Sequence, residues 1–323
     1  MTAAGVRWES GWPTPTVTGM NRTNRIAAGA LAIVLIGALA LLALTRTETA
    51  SSIEAIDTTT SSTSTTTTST TTTLPVTIDT HENLVATALL PKIDVTEAAP
   101  AGLDTVNSLA AREGAARRAT FPAFSPERGD APEFPSLTEA IEGRRRTPTG
   151  WEFDNPSPMG AQLSFIVMEN YGDWLKVQMP VRPNGREGWI KATDVTLSTN
   201  HSHITINLGE RSLKAFANGQ QTLETKVVVG KEDTRTPTGR FYVTDFEEKY
   251  PGSAYGSWIL PLNAYSQDLD EFGGGVPLIA MHGTNAPELV GQARSNGCIR
   301  MPDEAIIFLR ANVPIGTSVD IVG

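Results

Sequence analysis

Residues 58–73 consist only of threonine and serine, and a tract without apolar side chains has nothing to bury against the entropy of becoming ordered. It cannot join a core, so it divides the 323 residues into a short leading part and a longer part that must carry the fold. Before it, residues 26–44 form an unbroken run of Ile, Ala, Gly, Leu and Val, long enough at about 1.5 Å per residue to cross a hydrocarbon core. Arg7, Arg22 and Arg25 precede the run, whereas Glu48, Glu54 and Asp57 soon follow the single Arg46. That arginine bias predicts a cytoplasmic tail (1–25), a single-pass transmembrane anchor (26–45), a disordered Ser/Thr-rich linker (46–80) and a folded part that is extracytoplasmic.

The folded part reads as mainly β. Residues 84–90 and 93–95 predict short strands, and a poorly patterned stretch over 102–150 follows, relieved by a helix over 109–118. Within it, Arg144-Arg145-Arg146 reads as a solvated loop, the usual fate of a short charge run. Strand patterns return at 163–168, 174–179 and 188–190, separated by Tyr171-Gly172-Asp173 and Pro183-Asn184-Gly185 turns. The segment from Gly172-Asp173-Trp174-Leu175 through Gly188-Trp189-Ile190 resembles bacterial SH3-like domains. The resemblance implies a small β-barrel over 81–199 with an insertion at about 102–150, with Trp174 and Trp189 in its core. It also implies a spacer or wall-binding role. A formal charge of −9 with no basic stripe argues against nucleic acid as a partner.

Residues 200–323 continue as strands. Residues 204–208 alternate, 213–216 lead into Asn218-Gly219, a strong hairpin signal, and 223–229, 240–243, 258–260, 276–282 and 318–322 add further strands. Residues 302–311 predict one helix, with Pro302 at its start, Asp303 and Glu304 in its first turn and Ala305, Ile306 and Leu309 on one face. His201 and His203 lie at the start of this part and read as exposed strand residues.

Cys298 is the sole cysteine, so no disulfide within the chain can use it. It follows Gly297, which allows unusual backbone dihedrals, and it lies sixteen positions after His282, which closes an apolar strand. A thiol is a weak nucleophile at its free pKa, and an imidazole that takes its proton activates it. The set is a candidate nucleophile and base. One cysteine and scattered histidines do not compose a zinc ligand set, and the chemistry calls for no cofactor.

The order of Val227-Val228-Val229-Gly230, Thr236-Pro237-Thr238-Gly239-Arg240-Phe241, Met281-His282-Gly283-Thr284 and Ser295-Asn296-Gly297-Cys298-Ile299-Arg300-Met301 resembles the YkuD-type L,D-transpeptidases. The resemblance implies a β-sandwich with a short helix. It implies peptidoglycan stem peptides as substrate, a Cys298 thioester formed with loss of D-alanine, and inhibition by carbapenems. Gly297 and Cys298 are the expected oxyanion donors, with Ser295, Asn296 and Gly283 shaping the site. Asn296 stands where the family usually has histidine, and asparagine cannot carry a proton at neutral pH, which leaves His282 as base. Gly283 replaces a serine found in some members, so a backbone carbonyl is expected to orient the imidazole. Arg300 is expected to hold a stem carboxylate bidentately, or else to pair with Asp303.

Overall fold

The computed structural model describes residues 82–126 and 143–323. The predicted anchor and linker lie outside the described residues; among those described, no helix is long and apolar enough to cross a membrane.

The first half is one eight-stranded sheet. Its strands are β1 (Asn83–Ala88), β2 (Lys92–Thr96), β3 (Arg144–Thr147), β4 (Gly150–Asp154), β5 (Ser164–Asn170), β6 (Trp174–Gln178), β7 (Glu187–Lys191) and β8 (Val195–Asn200), in the order β3-β4-β2-β7-β6-β5-β1-β8. Its core gathers Ile93, Val95, Trp151, Phe153, Phe165, Leu175, Val177 and Ile190. Helix α1 (Leu109–Arg118) has the predicted bounds and begins where Ser108 Oγ accepts the Ala111 N–H. Two expectations fail here. The arginine run is not a solvated loop: it is strand β3, because the neighbouring strand supplies carboxylates, with Arg145 donating to Glu152 and Asp154, and Arg144 turning to the Pro180 carbonyl at 2.9 Å. Trp189 is buried as expected, but Trp174 is only half-buried, and Trp151 occupies the core instead.

The second half contains β9 (Ser202–Asn207), β10 (Ser212–Ala217), β11 (Gln220–Lys226), β12 (Val229–Gly230), β13 (Gly239–Tyr242), β14 (Glu247–Glu248), β15 (Trp258–Tyr265), β16 (Leu278–His282), β17 (Ala293–Ser295), β18 (Ile299–Arg300) and β19 (Ser318–Val322), with α2 (Asp303–Asn312). A five-stranded sheet runs β11-β10-β9-β19-β13, a four-stranded one runs β14-β15-β16-β18, and β12 pairs with β17. The hairpin between β10 and β11 turns on Asn218 and Gly219, both at positive φ, as the type I′ geometry requires. Ile204, Ile206, Val319 and Ile321 from one sheet meet Leu260, Leu262, Met281 and Ile299 from the other, and α2 adds Ala305, Ile306 and Leu309. Each fully buried Ile or Leu contributes roughly 1.5–3 kcal/mol of transfer free energy.

His203 is buried rather than exposed: its ring nitrogens lie 2.9 Å from Ser318 Oγ and 3.0 Å from Thr205 Oγ1. Such partners offset the desolvation of a polar ring. The halves are joined by buried polar contacts, with Tyr242 Oη donating to the Gln178 carbonyl at 3.1 Å and Gln178 Nε2 donating to the Arg240 carbonyl at 2.9 Å.

Candidate active site

Strand periodicity assembles the site. Strands β16 and β18 are parallel, with Met281 beside Ile299 and His282 beside Arg300. Since side chains alternate between faces, Met281 and Ile299 point into the core, where both are fully buried. His282, Arg300 and Cys298, two positions before Arg300, fall on the opposite face. All three line one cleft of about 140 Å3, which Tyr255, Leu269, Phe272, Leu278 and Asn296 also border.

The turn that carries Cys298 is held by hydroxyls. Gly297 sits at φ 112°, in the region that favours glycine, and a Cβ there would lie 2.8 Å from Ile279 Cδ1. Its N–H donates to Ser295 Oγ at 3.1 Å and its carbonyl accepts from Thr236 Oγ1 at 2.8 Å. Thr236 Oγ1 in turn accepts the Gly230 N–H at 2.9 Å. Gly297 is therefore not an open oxyanion donor as expected; its N–H is engaged by Ser295, and the Cys298 N–H has no protein acceptor among the described residues. Ser295 is buried and holds the turn through its Oγ, while Asn296 is exposed at the cleft edge. The motif that contains Thr236 gave it no individual role in the sequence. The available signal was a threonine in a tight turn, a residue type suited to hydrogen-bonding nearby backbone.

His282 is buried, and its Nδ1 lies 2.6 Å from the Gly283 carbonyl. That contact places the ring proton on Nδ1, the tautomer being assigned from the hydrogen bond, and the Tyr255 backbone offers the ring a second partner. Tyr255 packs edge-on against the imidazole, 5.0 Å between ring centres. Gly283 has a steric reason to lack a side chain: a Cβ would collide with Asp303 Oδ1 and come within 2.9 Å of Gly256 Cα. Asp303 does not pair with Arg300; its carboxylate accepts the N–H and hydroxyl of Ser257. Arg300 is anchored by its backbone, exchanging hydrogen bonds with Val228 at 2.7 and 3.0 Å, and its Nε is buried without a hydrogen-bond partner.

The electrostatics favour uncharged forms of both reactive groups. Burial, reinforced by the Arg300 charge, pushes His282 down to about 4, because the imidazolium is disfavoured in a low-dielectric setting. Burial also raises the Cys298 thiol, opposed by the Ala280 backbone and the Arg300 charge. Both groups therefore rest uncharged, and the Cys298 thiol donates to the Leu278 carbonyl at 3.9 Å. Among the described residues no group of His, Cys, Asp and Glu could hold a metal ion.

Comparison with known proteins places this geometry in a lineage. The profile of the YkuD L,D-transpeptidase catalytic domain matches residues 201–321. The YkuD protein of Bacillus subtilis is 35% identical over 119 residues, 37% of this chain and 65% of that protein. The chain thus spans a little under two thirds of that relative's length. The YqjB protein of the same organism, which also carries the L,D-transpeptidase name, is 32% identical over 121 residues, 36% of this chain and 69% of that protein. Among solved structures, the catalytic domain of an Enterococcus faecium L,D-transpeptidase is 26% identical and covers 37% of this chain and 95% of that one, with a TM-score of 0.29. On the profile match and the YqjB relationship, the chain belongs to the YkuD-type L,D-transpeptidase family.

Proposed function

We propose that the chain is a peptidoglycan L,D-transpeptidase acting through a Cys298 thioester. The observation that carries this reading is the convergence of His282, Cys298 and Arg300 on one sheet face in one cleft, in a chain of this family. His282 Nε2 takes the thiol proton as sulfur attacks the carbonyl before the terminal D-alanine of a tetrapeptide stem. The Cys298 N–H faces the developing oxyanion, the role that preorganised backbone donors perform in acyl transfer. The C–N bond then breaks, the imidazolium protonates the departing D-alanine amine, and the thioester remains. An amine of a second stem attacks the thioester, His282 accepts its proton, and the C–S bond breaks to return the thiol. The partnerless Nε of Arg300 suits a stem carboxylate.

This reading includes the single-pass anchor at 26–45, the Ser/Thr-rich linker at 46–80, an SH3-like wall-binding domain at 81–199 and the catalytic domain at 200–323, with residues after the anchor on the cell-wall side. Incubating the full chain with a disaccharide tetrapeptide is expected to release D-alanine and yield a cross-linked dimer by mass spectrometry. Tripeptide without dimer identifies an L,D-carboxypeptidase instead, water replacing the amine. A chain that forms neither product and no covalent adduct with a carbapenem is a wall-binding protein, and the proposal fails.

A further inference from the structure

We infer that residues Phe121–Ser125, a strap that leaves α1 and crosses onto the second half of the molecule, position the Cys298 turn and one wall of its cleft. The inference rests on the reading of Cys298 as the reactive thiol.

The strap is fastened to two loops at once. On one side it meets the Thr236 loop: the Ser125 N–H donates to the Thr238 carbonyl at 3.2 Å, the Thr238 N–H donates to Ser125 Oγ at 2.8 Å, and Thr238 Oγ1 donates to the Ala123 carbonyl at 2.8 Å. Phe124 lies edge-on to Phe241 with ring centres 5.6 Å apart. It seats against Gly239, whose φ of +137° and lack of Cβ leave room for the ring. Two residues before Thr238, Thr236 holds the Gly297 carbonyl, so the chain of contacts from Ser125 to the residue before the thiol is short, partly buried at Ser125 and buried at Thr236.

On the other side the Ser125 carbonyl accepts from Nε2 of the buried Gln267. Gln267 begins the loop that carries Leu269 and Phe272 into the cleft wall. The same loop is tied back to the Thr236 loop by Asp268, which accepts the Arg235 N–H at 2.7 Å and its guanidinium at 2.6 and 3.1 Å. Strap, turn and wall thus close a ring of hydrogen bonds, and Ser125 is the member contributed by the first half. It is not among the residues that line the cleft, so it acts as a positioning residue and touches no reacting atom.

The test compares the full chain with Ser125→Ala and Ser125→Thr. Cys298 alkylation by iodoacetamide is followed across pH, and carbapenem acylation by intact mass, each at the same interval below the variant's own melting temperature. Ser125→Ala is expected to slow both reactions about 5- to 10-fold, the worth of one to two partly buried hydrogen bonds, and Ser125→Thr, which keeps the hydroxyl, is expected to restore them. A Ser125→Ala chain that reacts at the parent rate overturns the inference, as does a loss that disappears once melting temperatures are matched or that threonine does not restore. Iodoacetamide needs no transpeptidase chemistry. If carbapenem never acylates the parent but alkylation still depends on Ser125, the proposed function falls and the strap's role stands.

Discussion

Arg145 and Arg240 each face a carboxylate directly across an antiparallel ladder, Glu152 in the first half and Asp320 in the second. The surroundings make them different. The Arg145 side chain retains 35% of its exposure, and its partners Glu152 and Asp154 are similarly open, so water and salt screen the attraction. Arg240 retains 2%, grips Asp320 through two hydrogen bonds of 2.6 Å, and lies over the Phe121 ring at 4.3 Å. The same pairing therefore decorates a rim in one region and is committed within the interior of the other. The lesson extends to the site, where His282, Ser295 and Thr236 are also polar groups buried with partners.

Experiments can press on this contrast, beginning where the effect is greatest. Cys298→Ala should abolish the carbapenem adduct in intact-mass measurements while leaving the melting temperature unchanged; retained adduct formation would sink the assignment of the nucleophile. Asp320→Ala leaves a buried guanidinium unpaired and should lower unfolding stability by about 3–5 kcal/mol in denaturant titrations. Acid should act through His282. Its folded pKa of about 4 lies below the ordinary value of 6.5, so the unfolded chain binds a proton first as pH falls. The contribution is complete above about pH 6.5, declines toward pH 4, and amounts to about 3 kcal/mol at most; a His282→Gln chain should lose that part of the pH dependence. Gly283→Ser forces atoms into the space of Asp303 and Gly256 and should cost about 1–3 kcal/mol. The smallest effect is expected at the rim, where Arg145→Ala should change stability by less than about 1 kcal/mol. A loss there equal to that of Asp320→Ala would erase the contrast between the two regions.

What could be read in advance followed from local pattern. The hairpin at Asn218-Gly219, the helix predicted over 302–311 and found at Asp303–Asn312, and the carbonyl that orients His282 were legible because alternation, helix-terminus residues and a missing side chain are local signals. Strand β3 was not, since three successive arginines form a strand only when Glu152 and Asp154 stand opposite. The burial of His203 likewise depends on Ser318, which lies on a different strand. Thr236 and the Gly297 N–H were misjudged for a related reason. Both are decided by a turn closing on another loop, and composition carries no record of which hydroxyl reaches which amide.

The acceptor for His282 Nδ1 is a main-chain oxygen, supplied by a glycine that its neighbours allow no side chain. No codon change at that position deletes the oxygen, whereas a triad built with a carboxylate can lose its third member in one step. Inheritance of the imidazole's orientation is thereby shifted from the identity of one side chain to the path of the backbone, and drift can disable it only by bending the fold.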